Sequence, residues 1–329
     1  MGLYPVDVIG DNVVPRLREA FSGLPSGIRE LVFLHFDYTG RPEAPLEAGK
    51  LYRAALTVAW DRAMGGDGSR ALHAAVAVEL VHNASLLHDD LIDGDRVRRG
   101  REPVWVQRGP GAGVLAGDAL FFLAVQELNA AGFPLNTYGV AELTAAVQRM
   151  VEGEWADTQV PQDVGAYMSM CDGKTGALIG AACVLGGLTA GVTDHSLEQV
   201  RAFGLHVGAA FQITDDLLDL WGDPERTGKP HRGDLVHGRT SYPLLAALGA
   251  GHGASAVLRS LLVPGAASRA GAADRCAELI EEAGGRAAAE HQATHHLEQA
   301  LKVLKEVCPD GPGKDVLTTI AHRAVQRSA

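Results

Sequence analysis

The stretch 70–93 constrains this chain more than any other. It is apolar through Leu80, Val81, Ala84, Leu86 and Leu87, long enough for a core helix, and it ends in Asp89-Asp90-Leu91-Ile92-Asp93. At 3.6 residues per turn, Asp89 and Asp93 fall about 40° apart on one helix face. Two carboxylates so placed repel unless a cation sits between them. Oxygen-only donors suit a hard cation such as Mg²⁺, which takes one or two carboxylates plus phosphate oxygens and waters. Arg98 and Arg99 follow, in position to contact a diphosphate. Alone, the stretch is equally a solvated helix end with mixed charges.

A second stretch changes that balance. The apolar helix predicted over 197–220 ends in Asp215-Asp216-Leu217-Leu218-Asp219, with the same acid spacing. Two such endings suggest two helices facing each other across a cavity with metal between them. Period-2 runs are nearly absent, while 3.6-period runs recur over 13–21, 26–35, 54–62, 114–130, 140–157, 167–185, 242–248, 254–263, 272–283 and 286–307. The expectation is an all-α fold, a single large helical bundle around a central active-site cavity. No linker is long or polar enough to force a second domain. Residues 1–329 therefore read as one domain: N-terminal helices in 1–44, the motifs in 45–248, C-terminal helices in 249–329.

The totals exclude several classes. A net charge of −11 argues against nucleic acid, whose backbone needs a basic surface. It leaves room for a small phosphorylated substrate held by a local basic cluster. The four cysteines form no Cys-x-x-Cys pair and read as reduced, buried thiols of a cytoplasmic protein. The N-terminus has no signal-peptide pattern, and no apolar run reaches the ~18 residues of a membrane span.

Other segments carry weaker signals. Lys50 and Arg53 stand three apart near a predicted helix start, where N–H groups and cations together attract anions; two surface cations are the plain alternative. The segment 109–113 reads as a Gly-rich turn, with no strand before it to make a dinucleotide fingerprint. Lys174-Thr175 lies among Gly173, Gly176 and Ala177, small neighbours that would let a substrate approach closely. The loop 222–234 places Lys229 and Arg232 where they could close over phosphates. His291 and His295 are at i, i+4 without a third zinc ligand in sight.

With these motifs in order, the chain resembles the trans-isoprenyl diphosphate synthases of the polyprenyl synthetase family, from about residue 49 to 248. Asp89-Asp90-x-x-Asp93 with Arg98-Arg99-Gly100 resembles the first aspartate-rich motif, and Asp215-Asp216-x-x-Asp219 the second. Gly49-Lys50-x-x-Arg53 resembles the isopentenyl diphosphate segment, and Lys174-Thr175 the mid-chain Lys-Thr pair. The resemblance implies two Mg²⁺ on Asp89 and Asp93 and a third on Asp215, with Asp90 and Asp219 behind them or linked through water. It implies that Arg98, Lys174 and Lys229 hold the allylic diphosphate (dimethylallyl, geranyl, farnesyl or geranylgeranyl). Lys50, Arg53, His82 and Arg99 would hold isopentenyl diphosphate, and Thr175 and Gln212 would lie beside the developing carbocation. Arg239 stands where the family has Lys before Thr240, and Glu154 follows Gly153 where Gln is usual.

Chain length should depend on residues about one turn before Asp89. Ala84 and Ser85 are small where short-chain members tend to carry an aromatic floor, so a product of C20 or longer is expected, with Val81, Phe121 or Phe122 deeper as candidate stops. The rival reading is a terpene synthase or cyclase on the same scaffold, ionising an allylic diphosphate without condensation. Such an enzyme has no need of Lys50, Arg53, His82 and Arg99 together. The family is commonly homodimeric, and the Ala- and Gly-rich helix over 113–130 is a candidate face.

Overall fold

A computed structural model of the chain describes residues 6–36, 51–193, 195–223, 232–251, 253–262 and 271–326. Among them every regular element is helical. In order these are α1 (Val6–Ser22), α2 (Ser26–His35), α3 (Tyr52–Ala63), α4 (Ser69–Ile92), α5 (Val104–Arg108), α6 (Pro110–Ala130), α7 (Val140–Thr158), α8 (Val164–Cys171), α9 (Ala177–Thr189), α10 (His195–Trp221), α11 (Gly233–His237), α12 (Tyr242–Gly249), α13 (Gly253–Leu261), α14 (Ala272–Glu282), α15 (Gly285–Val307) and α16 (Pro312–Val325). Wide π turns at Leu135–Gly139 and Asp172–Gly176 precede α7 and α9.

Two local expectations are corrected, and one helix is added. The Gly-rich stretch 109–113 is the first turn of α6, because Pro110 at the first helical position loses no hydrogen bond and presets φ. The single helix expected over 167–185 begins earlier, where the Asp163 side chain accepts from Ala166 N at 2.8 Å as an N-cap. It is then interrupted by the π turn that carries Lys174. Helix α16 had no sequence signal strong enough to outlast the Gly- and Pro-containing break before it.

The chain divides into two compact units: residues 1–145, 181–198 and 308–317, and residues 146–180, 199–307 and 318–329. In the first, α4 is apolar all round and is packed by α1, α3 and α6. Helix α6 is long and apolar enough to cross a membrane by length and composition, contrary to the sequence expectation. It nevertheless belongs to the core of its unit. Its buried Glu127 accepts from Arg16 Nε at 2.8 Å and lies 2.8 Å from His73 Nδ1. In the second unit, Tyr167, Ile213, Tyr242, Leu245 and Ala289 form one apolar cluster, and Leu220, Leu244, Leu258 and Ile280 belong to another. All four cysteines are buried free thiols.

Candidate active site

Each unit carries one aspartate motif at the C-terminal end of a long helix. In the first, Asp93 N donates to Asp89 O at 2.8 Å, so the i, i+4 relation of the two carboxylates survives to the helix end. The last turns of α4 and α10 contain no basic residue. A helix C-terminus already carries roughly half a negative charge, so each acid there is unfavourable by about 0.3–1 kcal/mol. An arrangement that costs stability in the bare protein is one that a cation relieves. The donors are all oxygen and sit one turn apart, and most positions around a small hard ion are left for phosphate and water. By donor chemistry the Asp89–Asp93 pair and, separately, Asp215 suit a hard cation such as Mg²⁺, while no group of three or more ligand side chains comes together among the described residues.

Asp90 points elsewhere. It is buried, and its Oδ1 accepts from Arg98 Nε at 2.6 Å. Burial pushes its carboxyl up, and Arg98 opposes that. Arg98 also reaches Asp95, 3.5 Å from Nη2 to Oδ2.

Arg98 and Arg101 exchange backbone bonds of 2.7 and 3.1 Å across a two-residue turn. The turn residues Arg99 and Gly100 have φ of +52° and +77°. Two-residue turns with positive φ at both positions favour Gly and Asn, and a side chain there costs about 1 kcal/mol or more. Leu51, just before α3, is also left-handed at φ +47°. Strain of this kind concentrates at functional positions. Arg99→Gly is therefore expected to raise stability by about 0.5–1 kcal/mol while weakening isopentenyl diphosphate use at least about tenfold. Thermal melts beside KM for that substrate check it; a variant more stable and equally active would remove Arg99 from the site.

A cationic cluster gathers around α4. Burial, then Arg53 and Arg99, hold His82 well below the usual imidazole range. His35 is brought down to about 4, chiefly by burial, and its Nε2 lies 3.1 Å from Asn83 Oδ1. Arg98, Arg99 and Arg101 act on His35 in the same sense. The structure thus brings Arg53 and Arg99 within electrostatic reach of His82, together with Arg98, which the resemblance assigns to the other diphosphate, and adds His35, Arg101 and Glu79. Glu79 is fully buried; its Oε1 accepts from Ala54 N at 3.0 Å, capping the start of the helix that carries Arg53. Burial raises its pKa against that bond and against Arg53 and Arg99. Its place three residues before His82, on the same face, was the signal available in the sequence.

In the second unit, three donors converge on the buried Asp216. Tyr167 Oη donates at 2.5 Å and Tyr242 N at 2.7 Å to Oδ2, and Gln212 Nε2 donates at 3.3 Å to Oδ1. Burial pushes this carboxyl well up and the donors oppose it. Gln212 Oε1 in turn accepts from Thr175 Oγ1 at 3.0 Å, so the two residues expected beside the cation are joined. Asp219 Oδ2 accepts from Asp234 N at 3.2 Å, and Arg239 N donates to Asp234 O at 2.8 Å. Lys174 Nζ lies 2.5 Å from Asp157 Oδ2 and 2.9 Å from Glu154 Oε2.

The small residues around Lys174 serve helix packing rather than leaving open space. A Cβ on Gly153 would stand 2.1 Å from Lys174 N, and one on Gly208 would stand 2.9 Å from Gly176 Cα. Helices α7 and α10 therefore meet the Lys174 segment backbone to backbone. Val81 and Ala84 are buried in the first unit; Ser85 is half-buried, its Oγ donating to His82 O at 2.8 Å. Lys50 and Lys229 lie outside the described residues. A cavity of about 690 Å³, lined by Leu217, Trp221, Arg286 and Val325 among others, lies against α10. Neither Asp215 nor Asp219 lines it. His291 and His295 are exposed on α15; the close imidazole contact is His206 Nδ1 to His296 Nδ1 at 3.0 Å.

An all-α chain with paired aspartate motifs and a cationic cluster defines the class of isoprenoid diphosphate enzymes. The comparisons agree. The polyprenyl synthetase profile matches residues 43–280. A (2E,6E)-farnesyl diphosphate synthase of Mycobacterium tuberculosis is 35% identical, covering 96% of this chain and 91% of its own length. A geranylgeranyl diphosphate synthase of the same organism is 36% identical, covering 89% and 85%. The crystal structure of a polyprenyl synthetase from Streptomyces coelicolor A3(2) superposes with a TM-score of 0.90 at 35% identity, covering 97% of this chain and 98% of that one. The chain belongs to the polyprenyl synthetase family and is a trans-prenyltransferase with the all-α fold of that family.

Proposed function

We propose that the protein condenses isopentenyl diphosphate head-to-tail with an allylic diphosphate, with Mg²⁺, to make a trans-polyprenyl diphosphate of C20 or longer. The observation that carries this reading is the cluster of Arg53, His82 and Arg99 on the unit that also holds Asp89 and Asp93. An enzyme that only ionises an allylic diphosphate needs one anion site, and this cluster supplies another. Asp89 and Asp93 would hold two Mg²⁺ and Asp215 a third, with Asp90 and Asp219 fixing the surrounding backbone and arginine. When bound, Mg²⁺ stabilises the negative charge that develops on the departing diphosphate. Lys174, Arg98 and Lys229 would hold that diphosphate, while Lys50, Arg53, His82 and Arg99 hold the second substrate. Arg239 would add a further cation to the diphosphate contacts. Thr175 and Gln212 offer oxygens beside the developing cation. Apolar walls keep water from it. The departed diphosphate takes the proton lost at the end, so no protein base is assigned.

Small side chains at Ala84 and Ser85 support the longer product. The two mycobacterial relatives bear the names of a C15 and a C20 synthase, so relationship alone leaves length open. Purified protein supplied with Mg²⁺, isopentenyl diphosphate and farnesyl diphosphate should consume both and extend the farnesyl chain. Ala84→Phe should shorten the product, read by chromatography. A single C15 product from dimethylallyl diphosphate, with farnesyl diphosphate untouched, overturns the length assignment. No consumption of isopentenyl diphosphate overturns the condensation itself.

The remaining reading concerns context. Exposed Leu115 and Phe122 on α6, 56% and 73% accessible, lie seven residues apart on one stripe and support a homodimer through that face. The reduced thiols support a cytoplasmic enzyme.

A further inference from the structure

Lys174, on the π turn, is a cation set between two carboxylates. Its Nζ sits between Glu154 Oε2 at 2.9 Å and Asp157 Oδ2 at 2.5 Å. Burial alone would lower the lysine pKa, but the two carboxylates outweigh it and raise the value, so Lys174 stays charged. One ammonium facing two carboxylates leaves a net negative charge. The positions are rigid, because Gly153 and Gly173 bring α7 and the π turn into backbone contact beside both acids. Glu154 Oε1 is buried and has no hydrogen-bond partner among the described residues. Glutamine at this position would be neutral and would keep nearly the same shape.

We propose that Glu154 is a positioning residue that holds Lys174 in an over-neutralised resting pair and thereby sets a weak affinity for the allylic diphosphate. The inference rests on the reading of Lys174 as a contact of that diphosphate. An incoming diphosphate must draw the lysine away from two anions and must itself approach a net negative charge. Coulomb energies at such distances remain sizeable at the effective dielectric of a partly buried site. The opposite arrangement, a lysine free to meet the diphosphate, would bind more tightly. In this enzyme the carboxylate instead favours release of inorganic diphosphate after condensation.

Glu154→Gln tests this. The expected result is a fall in KM for the allylic diphosphate of about tenfold, with KM for isopentenyl diphosphate unchanged. Inorganic diphosphate should bind the variant more tightly by calorimetry in the presence of Mg²⁺. Glu154→Asp, which keeps the charge, should restore the weak binding. In a Lys174→Met background the effect of Glu154→Gln should shrink. An undiminished effect there would show Glu154 acting directly on the anion and would overturn its role as a holder of Lys174. An unchanged or higher allylic KM in Glu154→Gln, with wild-type-like melting, would also overturn it. A failure of the condensation reading shows separately, as a wild-type protein that consumes no isopentenyl diphosphate. The calorimetric comparison is readable in either case.

Discussion

Asp89→Ala is expected to lower kcat by about 10³-fold or more while leaving the helical fold in place. The substitution removes one of two carboxylates that stand one turn apart at the end of α4. A single oriented group that stabilises developing charge is worth about 10²–10³ in rate, and loss of a metal ligand disturbs every charge the ion would meet. The acid sits where the helix dipole disfavours it, so its removal should change stability by no more than about 1 kcal/mol. Far-UV circular dichroism and melting measured without metal give the fold; steady-state assay across Mg²⁺ concentrations gives the rate. Asp215→Ala should behave alike. Near-wild-type turnover in either variant would remove that residue from the metal set, and loss of helical signal would make it structural.

The second large effect concerns packing. Gly153→Ala is expected to destabilise the protein by about 3 kcal/mol or more, because overpacking against backbone has no side chain to move aside. The added Cβ would meet Lys174 N at 2.1 Å and Gly173 C at 2.6 Å. For a chain of this size unfolding as one unit, that corresponds to a fall in Tm of roughly 4 °C. The displaced segment carries Lys174 and Thr175, so activity should fall with it. Gly111→Ala is the control: its Cβ position on α6 is open, and alanine there should stabilise by up to about 1 kcal/mol. Equal melting of the two variants would mean that the helices can separate at Gly153 without cost.

These cases show where sequence reasoning reached and where it stopped. The all-α class was legible because helical periodicity is a property of each segment alone. The long helices α4 and α10 are legible nearly whole in the sequence, since apolar residues recur at helical spacing along each and neither contains a proline. The aspartate spacings were legible for the same reason: i and i+4 fix a shared face on any helix. Glu79 was missed although it lies one turn before His82. Its role depends on Ala54 N, a backbone group from another helix. The π turn around Lys174 reads as plain helix in the sequence, because apolar periodicity does not register one widened turn inside a helical run. The reading of Gly173 and Gly176 as space for a substrate failed similarly. Small residues permit close approach, but sequence does not say by what.

The sequence by itself determined the helices, the two acid endings and the family. Each follows from residue type at short spacing, where helix geometry is fixed in advance. Tertiary structure alone decided which groups those motifs meet. It put Asp90 on Arg98 and left Asp89 and Asp93 at the helix end. It gathered Tyr167, Tyr242 and Gln212 on Asp216, and it set two carboxylates on Lys174. Partners of that kind come from helices far apart in the chain, and burial then decides the charge each group carries.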